Sequence, residues 1–419
     1  MNSDRLWAAA GKALAAVAVA LIAVTALASG ASAVTYKVLH KFTGGADGAY
    51  PHDFGGLAFD ASGAVYGTTL NGGDYDAGVV FKLTPNPDGS WTETALHSFT
   101  GGGDGGNPVA GPIFDAAGTL YGLASVGGAY NAGVFFTLTS NLDGTWSETV
   151  LHDFTGADGN GPEANMTFDA AGNLYGTTVY GGVSNCGTVF ELVPNGDGSW
   201  NEKVLHSFTC KDGAIPESRL IFDPDGALYG TAVDGGNQNC YIWAPGCGVV
   251  FKLTPNPDGT WTEKVLHKFT GGKDGSAPQA ELTFDKAGNL YGTTCWGGAY
   301  GSGTAFKLSP QPDGSWKEKV IHQFTGGKDG AAPYTVMILG GDGSFYSTTF
   351  GGGAYGAGVV FKLTLGLDGK WREKIVHTFR GKPAGIGLNL SVDPAGNFYG
   401  VTRGFKGIGG YGAVYEITP

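Results

Sequence analysis

Short stretches in which apolar and polar residues alternate recur along the chain from about residue 34 onward. In one of them Trp261, Val265, His267 and Phe269 share one side of an extended chain, which is typical of a half-buried strand. Other runs, such as Gly-Val-Val-Phe at 248–251, are short and wholly apolar, as in buried strands. Turns rich in Gly, Asp and Pro separate these runs. The pattern predicts an all-β protein.

One unit of four predicted strands occurs seven times. Its clearest landmark is a histidine in the motif (Leu/Ile/Val)-His-x-Phe, at intervals of 54 to 61 residues: His40, His97, His152, His206, His267, His322 and His377. In the fifth unit the predicted strands are Glu281–Phe284, Asn289–Thr294, Thr304–Leu308 and Trp316–Phe324. Four short strands repeated at this interval predict a seven-bladed β-propeller. A β-solenoid is the competing architecture, but its coils are usually shorter.

Only six of the seven units have a tryptophan after an Asp-Gly turn, and the last unit has none. At the other end of the chain, Val34 stands where the tryptophan would be, ahead of Leu39 and His40. We therefore expect the N-terminal strand to pair with residues 412–418, completing the last blade and closing the ring. Closure of this kind removes two free sheet edges. It also makes the strand that carries the histidine the outermost one.

Residues 1–33 have the composition of a secretory signal peptide. Arg5 and Lys12 precede an apolar run from Ala13 to Ala28, and Ala31-Ser32-Ala33 forms an A-x-A cleavage site. The run is short for a bilayer span of roughly 20 residues, although an uncleaved anchor is the alternative. We expect residues 34–419 to form one exported propeller domain, secreted, periplasmic or at the cell surface, with no membrane span after cleavage.

Composition and charge exclude some fold classes and some classes of partner. The 76 glycines and 19 prolines exclude a helical bundle, since both residues destabilise helix interiors. The 37 acidic residues outnumber the 25 basic ones, which argues against a nucleic-acid partner because nucleic acids are bound by basic surfaces. A net charge of -12 favours a dispersed monomer.

The five cysteines would be exposed to oxidising conditions outside the cell. Cys240 and Cys247 bracket a short loop that a disulfide could close. Cys186 and Cys210 flank a turn at similar distances, so that they could pair across strands, leaving Cys295 over. The spacings lack a zinc-binding pattern.

Three segments carry a resemblance to a known family. They are Gly-Asn-Leu-Tyr-Gly-Thr-Thr at 288–294, Gly-Val-Val-Phe-Lys-Leu-Thr-Pro at 248–255 and Asp-Gly-Thr-Trp-Thr-Glu-Lys-Val-Leu-His at 258–267. The pattern resembles the GloVer-type choice-of-anchor tandem repeat family of secreted bacterial proteins, over essentially all of residues 34–419. The resemblance implies export and tandem repeats and carries no established activity.

A residue present in every blade is expected to serve the blade. We interpret the seven histidines as half-buried between blades. The aspartates of Thr-Gly-Gly-x-Asp-Gly and its variants we interpret as turn residues, not calcium ligands, because they lack the dense spacing of a calcium loop. These aspartates are Asp47, Asp104, Asp158, Asp212, Asp274 and Asp329. No metal or other cofactor is expected.

A binding site should use residues that break the repeat. Aromatic residues cluster in the loops between second and third strands, where they could stack on sugar rings or contact a protein. They are Tyr75, Tyr130, Tyr180, Tyr241, Trp243, Trp296, Tyr300, Phe350 and Tyr355. The alternative is that they pack over neighbouring blades.

Residues after the inter-blade proline also break the repeat and should lie near the channel entrance. They are His52, Asp53, Glu163, Glu217, Arg219 and Glu281. Two of these carboxylates about 5–9 Å apart could cleave a glycosidic bond.

The sequence thus favours an extracellular binding or adhesion scaffold for a glycan or surface protein, without a recognisable catalytic motif. The alternatives are a secreted polysaccharide hydrolase or lyase that uses the channel-mouth carboxylates, and a purely structural surface or matrix component.

Overall fold

The computed structural model describes residues 34–51, 56–240, 243–381, 386–404 and 410–418, and the proposed signal peptide lies outside these ranges. Residues Tyr36–Thr418 form one compact unit. The part of the chain that the structure describes is built of strands and turns and contains no helix. None of it therefore has the length and hydropathy of a membrane-spanning helix.

The strands form seven antiparallel sheets, the blades of a seven-bladed β-propeller. Six blades contain four consecutive strands, and the last combines three consecutive strands with the N-terminal strand. The first strands of the blades are β3 (Ala58–Phe59), β7 (Ile113–Phe114), β11 (Thr167–Phe168), β15 (Ile221–Phe222), β19 (Thr283–Phe284), β23 (Ile338–Leu339) and β27 (Ile386–Val392). The second strands are β4 (Val65–Asn71), β8 (Leu120–Ala124), β12 (Leu174–Thr178), β16 (Leu228–Ala232), β20 (Leu290–Thr294), β24 (Phe345–Thr348) and β28 (Phe398–Arg403).

The third strands are β5 (Val79–Pro85), β9 (Val134–Ser140), β13 (Thr188–Pro194), β17 (Val249–Pro255), β21 (Thr304–Pro310), β25 (Val359–Leu365) and β29 (Ala413–Thr418). The fourth strands are β6 (Trp91–Ser98), β10 (Trp146–Asp153), β14 (Trp200–Ser207), β18 (Trp261–Lys268), β22 (Trp316–Gln323), β26 (Trp371–Thr378) and, for the last blade, β1 (Thr35–Lys41). A further short strand, β2 (Ala49–Pro51), pairs with β4 in the first blade.

The hydrophobic core lies between adjacent blades. Phe154 follows β10 of the second blade, and its ring meets Phe190 of the third blade edge-to-face at 5.1 Å. Gly176 lies directly opposite Phe190 in the sheet, and a Cβ at that position would come within 2.5 Å of the phenyl ring. The glycine that follows the tyrosine of the second strand is therefore required, because the phenylalanine of the third strand packs where its side chain would be.

The predicted strand bounds need four corrections in the fifth blade, of which two are single residues: the second strand begins at Leu290, not Asn289, and the fourth ends at Gln323, not Phe324. The first strand covers only Thr283–Phe284, not Glu281–Phe284, because the preceding segment bonds to the neighbouring blade: the Ala280 carbonyl accepts from the Thr231 hydroxyl at 3.1 Å. The third strand extends past Leu308 to Pro310, because the register with β22 continues up to the turn.

The ring closes as the sequence predicts. β1 pairs with β29, so the N-terminal strand is the outer strand of the last blade. The Phe42 N–H donates to the Gly412 carbonyl at 3.0 Å just beyond this pairing. The all-β fold, the seven four-stranded blades and the mode of closure are confirmed.

Two disulfides tie loops at one end of the blades. They are Cys186–Cys210 and Cys240–Cys247, the two pairings that the sequence favours, and Cys295 is a buried free thiol.

Candidate functional site

The two kinds of variable loop lie at the same end of the blades. The segment entering a blade bonds through its backbone to the residue that follows the second strand, as in the pairs Asn160–Tyr180 and Ser276–Trp296. The Asp-x-x-Gly and Asp-Gly-x-Trp hairpins join the other ends of the same strands. The variation between copies is therefore collected on one face of the ring.

Aromatic side chains on this face are strongly exposed. The tyrosines at the tips of the loops between second and third strands are between 57% and 64% exposed: Tyr75, Tyr130, Tyr300 and Tyr355. Trp243, Trp296 and Tyr180 are 53%, 50% and 43% exposed. Burying such rings is favourable, so they are candidate binding groups.

The inter-blade prolines begin an extended segment that runs towards the first strand. The residue directly after the proline differs from blade to blade: Val109, Glu163, Glu217, Gln279 and Tyr334. Two residues further on, the chain has Gly111, Asn165, Arg219, Glu281 and Val336. A bend separates the two positions in each of these copies, and we call the two sets of residues the two layers of the lining.

Tyr334 shows that this lining surrounds the centre of the ring. It enters between the fifth and sixth blades, yet it packs against the core cluster that contains Cys295 and against the cluster formed by the seventh and first blades. Its ring lies 5.8 Å from that of Phe350. The position after the inter-blade proline therefore lines the channel mouth.

Two carboxyl groups of this lining are close enough to influence each other. Burial raises the pKa of Glu163 to about 7. Burial, together with the charge of Glu163, raises the pKa of Glu217 to about 8, although Gln279 Nε2 donates to Glu217 Oε2 at 2.7 Å and partly opposes the shift. Burial also raises the pKa of Asp234, which lies near both. The carboxyl groups of Glu163 and Glu217 therefore hold protons near neutral pH.

A second pair lies one layer further along the lining. Arg219 Nη1 is 4.0 Å from Glu281 Oε1, and Arg219 Nε donates to the Thr167 hydroxyl at 3.0 Å. Burial raises the pKa of Glu281, and the guanidinium opposes that shift. This pair links the fourth and fifth blades.

A pocket of about 260 Å³ opens at the channel mouth next to Gln279, the hydrogen-bond partner of Glu217. Its lining is aromatic with a few polar groups: Trp243, Gln279, Cys295, Trp296, Ala332, Tyr334, Phe350 and Arg403. Cys295 Sγ donates to Gln279 Oε1 at 2.7 Å, so Gln279 connects the pocket to Glu217. An apolar concavity with a few convergent polar groups is the usual form of a small-molecule site.

Larger grooves lie between blades on the hairpin face, with volumes of about 680 and 640 Å³. Their walls are residues of the repeat itself, such as Tyr121, Asp169 and Trp200. A surface built from the repeated positions gives little specificity, and we therefore place the candidate site at the channel mouth.

Comparison with known proteins places the chain in a family. The family model described as the Gloeobacter/Verrucomicrobia repeat matches residues 27–244 and again residues 243–419. The chain belongs to this family. The two matches between them cover all seven blades of the Gloeobacter/Verrucomicrobia repeat protein. A search of curated sequences finds no match.

Solved structures with some likeness to this Gloeobacter/Verrucomicrobia repeat protein include two proteins of sugar metabolism. A gluconolactonase from Xanthomonas campestris is 18% identical over 69% of this chain and 82% of its own, with a TM-score of 0.37. A Thermus thermophilus protein described as a glucose dehydrogenase is 15% identical over 92% of this chain and 100% of its own, with a TM-score of 0.40. Likeness at this level carries no argument about activity.

The structure brings together part of the predicted site. Glu163 and Glu217 meet at the mouth, Arg219 faces Glu281, and Trp243, Trp296 and Phe350 share the pocket. The loop-tip tyrosines do not line the pocket. His52, Asp53 and Tyr241 lie outside the described residues. Gln279, Tyr334 and Arg403 were missed by the sequence interpretation, although Gln279 and Tyr334 occupy the same post-proline position as Glu163 and Glu217.

The repeat histidines are half-buried between blades, but they are not isolated. In the first six copies Nε2 lies 3.2 to 3.9 Å from the aspartate of the following loop, and the aspartate also accepts from a threonine backbone N–H, as in a turn. A glutamate from the next blade approaches at three of these boundaries. The sequence interpretation placed the histidines between blades but missed this contact with a glutamate of the next blade.

Proposed function

We propose that this protein is an extracellular carbohydrate-binding propeller whose ligand enters the aromatic pocket at the channel mouth. The pocket carries the proposal: Trp243, Trp296 and Phe350 offer ring faces on one small cavity, with Gln279 and Arg403 beside them. Sugar rings stack on exposed aromatic side chains, and amide and guanidinium groups bind hydroxyl and carboxylate oxygens. A volume of about 260 Å³ suits a single sugar unit of a longer chain.

The position of the pocket supports binding of a chain end or side branch. Tyr334 fills the centre of the mouth, so a ligand in the pocket would rest against it without passing down the channel. The exposed tryptophans stand at the outer side, where further sugar units could continue over the face.

The test is a binding measurement against a panel of bacterial and plant polysaccharides and their oligosaccharides. Trp296→Ala and Trp243→Ala remove one stacking face each, and we expect each to weaken binding at least tenfold by isothermal titration calorimetry. A tenfold loss corresponds to about 1.4 kcal/mol, which lies within the range of aromatic stacking contributions. Ligand binding should also change the tryptophan fluorescence of the wild type.

Tyr75→Ala is the matched control, because Tyr75 is an exposed ring on the same face but lies in the first blade, away from the pocket. Equal weakening by Tyr75→Ala would contradict the assignment of the pocket. Absence of binding to the whole panel would favour a protein ligand or a purely structural role.

A second candidate function is hydrolysis or lytic cleavage of the bound polysaccharide. It is favoured by the neighbouring Glu163 and Glu217, whose raised pKa values leave a proton available near neutral pH beside the pocket. General acid catalysis requires such a carboxyl group. In that case incubation with a bound polysaccharide releases reducing ends. Glu217→Gln should lower the rate of release at least 100-fold. Asp225→Asn, in an exposed turn, is the control and should leave the rate unchanged. Binding without release of reducing ends would exclude this function.

A further inference from the structure

A set of side chains with metal-binding chemistry recurs at the blade boundaries, away from the channel mouth. Each set combines a histidine from a fourth strand, an aspartate from the loop that follows and a glutamate from the fourth strand of the next blade. His152, Asp158 and Glu202 form one such cluster. His206, Asp212 and Glu263 form the second, and His322, Asp329 and Glu373 form the third.

The donor atoms of each cluster converge. One nitrogen or oxygen from each residue lies within 4.8 Å of the other two. The shortest separations, between histidine Nε2 and aspartate Oδ2, are 3.2, 3.3 and 3.9 Å. Ligands of a tetrahedral Zn²⁺ ion are about 3.4 Å apart for bonds of about 2.1 Å. A shift of roughly 1 Å of the glutamate side chain would complete the set.

Several of these atoms make no well-aligned hydrogen bond within the protein. Nε2 of His152, His206 and His322 and Oε1 of Glu202, Glu263 and Glu373 each expose less than 1 Å² and make no hydrogen bond of good geometry, although each Nε2 lies 3.2 to 3.9 Å from an aspartate oxygen. Buried polar atoms are nearly always satisfied, and leaving one unpaired costs about 1–3 kcal/mol. The same pair of unpaired atoms recurs at five boundaries, and at three of these the aspartate completes a convergent set, which points to an absent shared partner.

In the first two clusters the aspartate is already oriented for such a partner. Asp158 Oδ1 accepts from the Thr155 N–H at 2.8 Å and from the Thr155 hydroxyl at 3.0 Å, and Asp212 is held in the same way by Thr209. This leaves Oδ2 directed at the histidine. Hydrogen bonds that fix a ligating carboxylate are typical of metal sites.

The ligand set selects the kind of ion. Ca²⁺ takes six to eight oxygen ligands, and Mg²⁺ prefers oxygens and waters. One imidazole with two carboxylates and room for water fits Zn²⁺ or a similar transition-metal ion.

We propose that these three clusters bind divalent transition-metal ions of the Zn²⁺ class, each joining two consecutive blades. Every cluster takes two ligands from one blade unit and the third from the next, so the ion links neighbouring sheets. The last boundary differs in kind: Tyr36 stands where the glutamate would be, and its ring stacks on His377 at 4.1 Å. That boundary is closed by an aromatic contact instead of a metal.

The test is a titration of the EDTA-treated, desalted full chain with ZnCl₂ by isothermal titration calorimetry, with metal counted by mass spectrometry. We expect at least three equivalents per chain. Glu202→Gln, Glu263→Gln and Glu373→Gln should each remove one equivalent or weaken one site at least tenfold, and the triple variant should lose three. Glutamine has the shape of protonated glutamate, so these variants should fold.

Asp225→Asn is the control, because it removes the same charge from an exposed turn and should keep every equivalent. His206→Gln removes a different ligand from the second cluster and should reproduce the loss seen with Glu263→Gln. Co²⁺ in place of Zn²⁺ should give visible d–d absorption that decreases with each variant. Fewer than three equivalents in the wild type, or full stoichiometry in the glutamine variants, would overturn the proposal.

Discussion

At the scale of single residues, the position after the inter-blade proline decides the chemistry of the channel mouth. The backbone there is the same in each copy, whereas the side chain changes from Val109 to Glu163, Glu217, Gln279 and Tyr334. Glu217 is only 8% exposed, and its hydrogen bond from Gln279 does not compensate its loss of hydration. The carboxyl group is therefore neutral over a pH range in which an exposed glutamate is ionised.

This shift predicts how stability depends on pH. The pKa of Glu217 is about 8 in the native protein against a usual value of 4.5, so between these values the native state holds a proton that the unfolded chain lacks. Stability consequently falls as pH rises through this window. A glutamine at position 217 has no carboxyl group to ionise. Glu217→Gln should therefore be more stable than the wild type by about 1–3 kcal/mol at pH 9, with little difference at pH 4.

Urea unfolding at both pH values measures this difference. Asp225→Asn, in an exposed turn, should show no gain that depends on pH. An equal effect of Glu217→Gln at pH 4 and pH 9 would show that its carboxyl group is not held neutral by the fold.

At the scale of the element, the N-terminal strand does more than supply a fourth strand. β1 places Tyr36 against His377 at 4.1 Å, Tyr415 at 5.5 Å and Phe379 at 6.2 Å. Burial raises the pKa of Tyr36 to about 12. One ring thus joins β1 to two strands of different blades.

Tyr36→Ala should therefore destabilise the protein by about 2–4 kcal/mol, through loss of aromatic contact and the cavity left behind. Tyr130→Ala, which removes a ring that is 63% exposed at a loop tip, should change stability by no more than about 0.5 kcal/mol. Urea midpoints compare the two. A loss of similar size in both variants would mean that β1 is held by its backbone pairing alone.

At the scale of the whole molecule, the fold was predictable because its signals are repeated. Seven copies average out the ambiguity of any single strand, and the position of Val34 relative to His40 was enough to predict that β1 pairs with the last blade. The pattern could not predict that Glu281 lies outside the first strand, because that depends on hydrogen bonds to the neighbouring blade.

The candidate site was predictable only in part, for the same reason. The sequence identifies positions that differ between copies, and so it finds Glu163, Glu217 and Trp296. It does not show which side chains meet across the ring, and the proximity of Trp243 to Arg403 depends on closure of the circle. Contacts between successive copies, such as His206 with Glu263, require the blade-to-blade geometry as well.

The two layers of post-proline residues can vary without any change in the packing between blades. Each copy contributes one side chain per layer from a segment whose backbone is fixed by the blade, so a substitution there leaves the Tyr-Gly and Phe contacts of the core untouched. Each blade thus contributes its own residue to the lining of the channel mouth, and duplication or exchange of a blade changes that residue alone. New ligand preferences can therefore arise by substitution at a few post-proline positions, while the propeller fold stays the same.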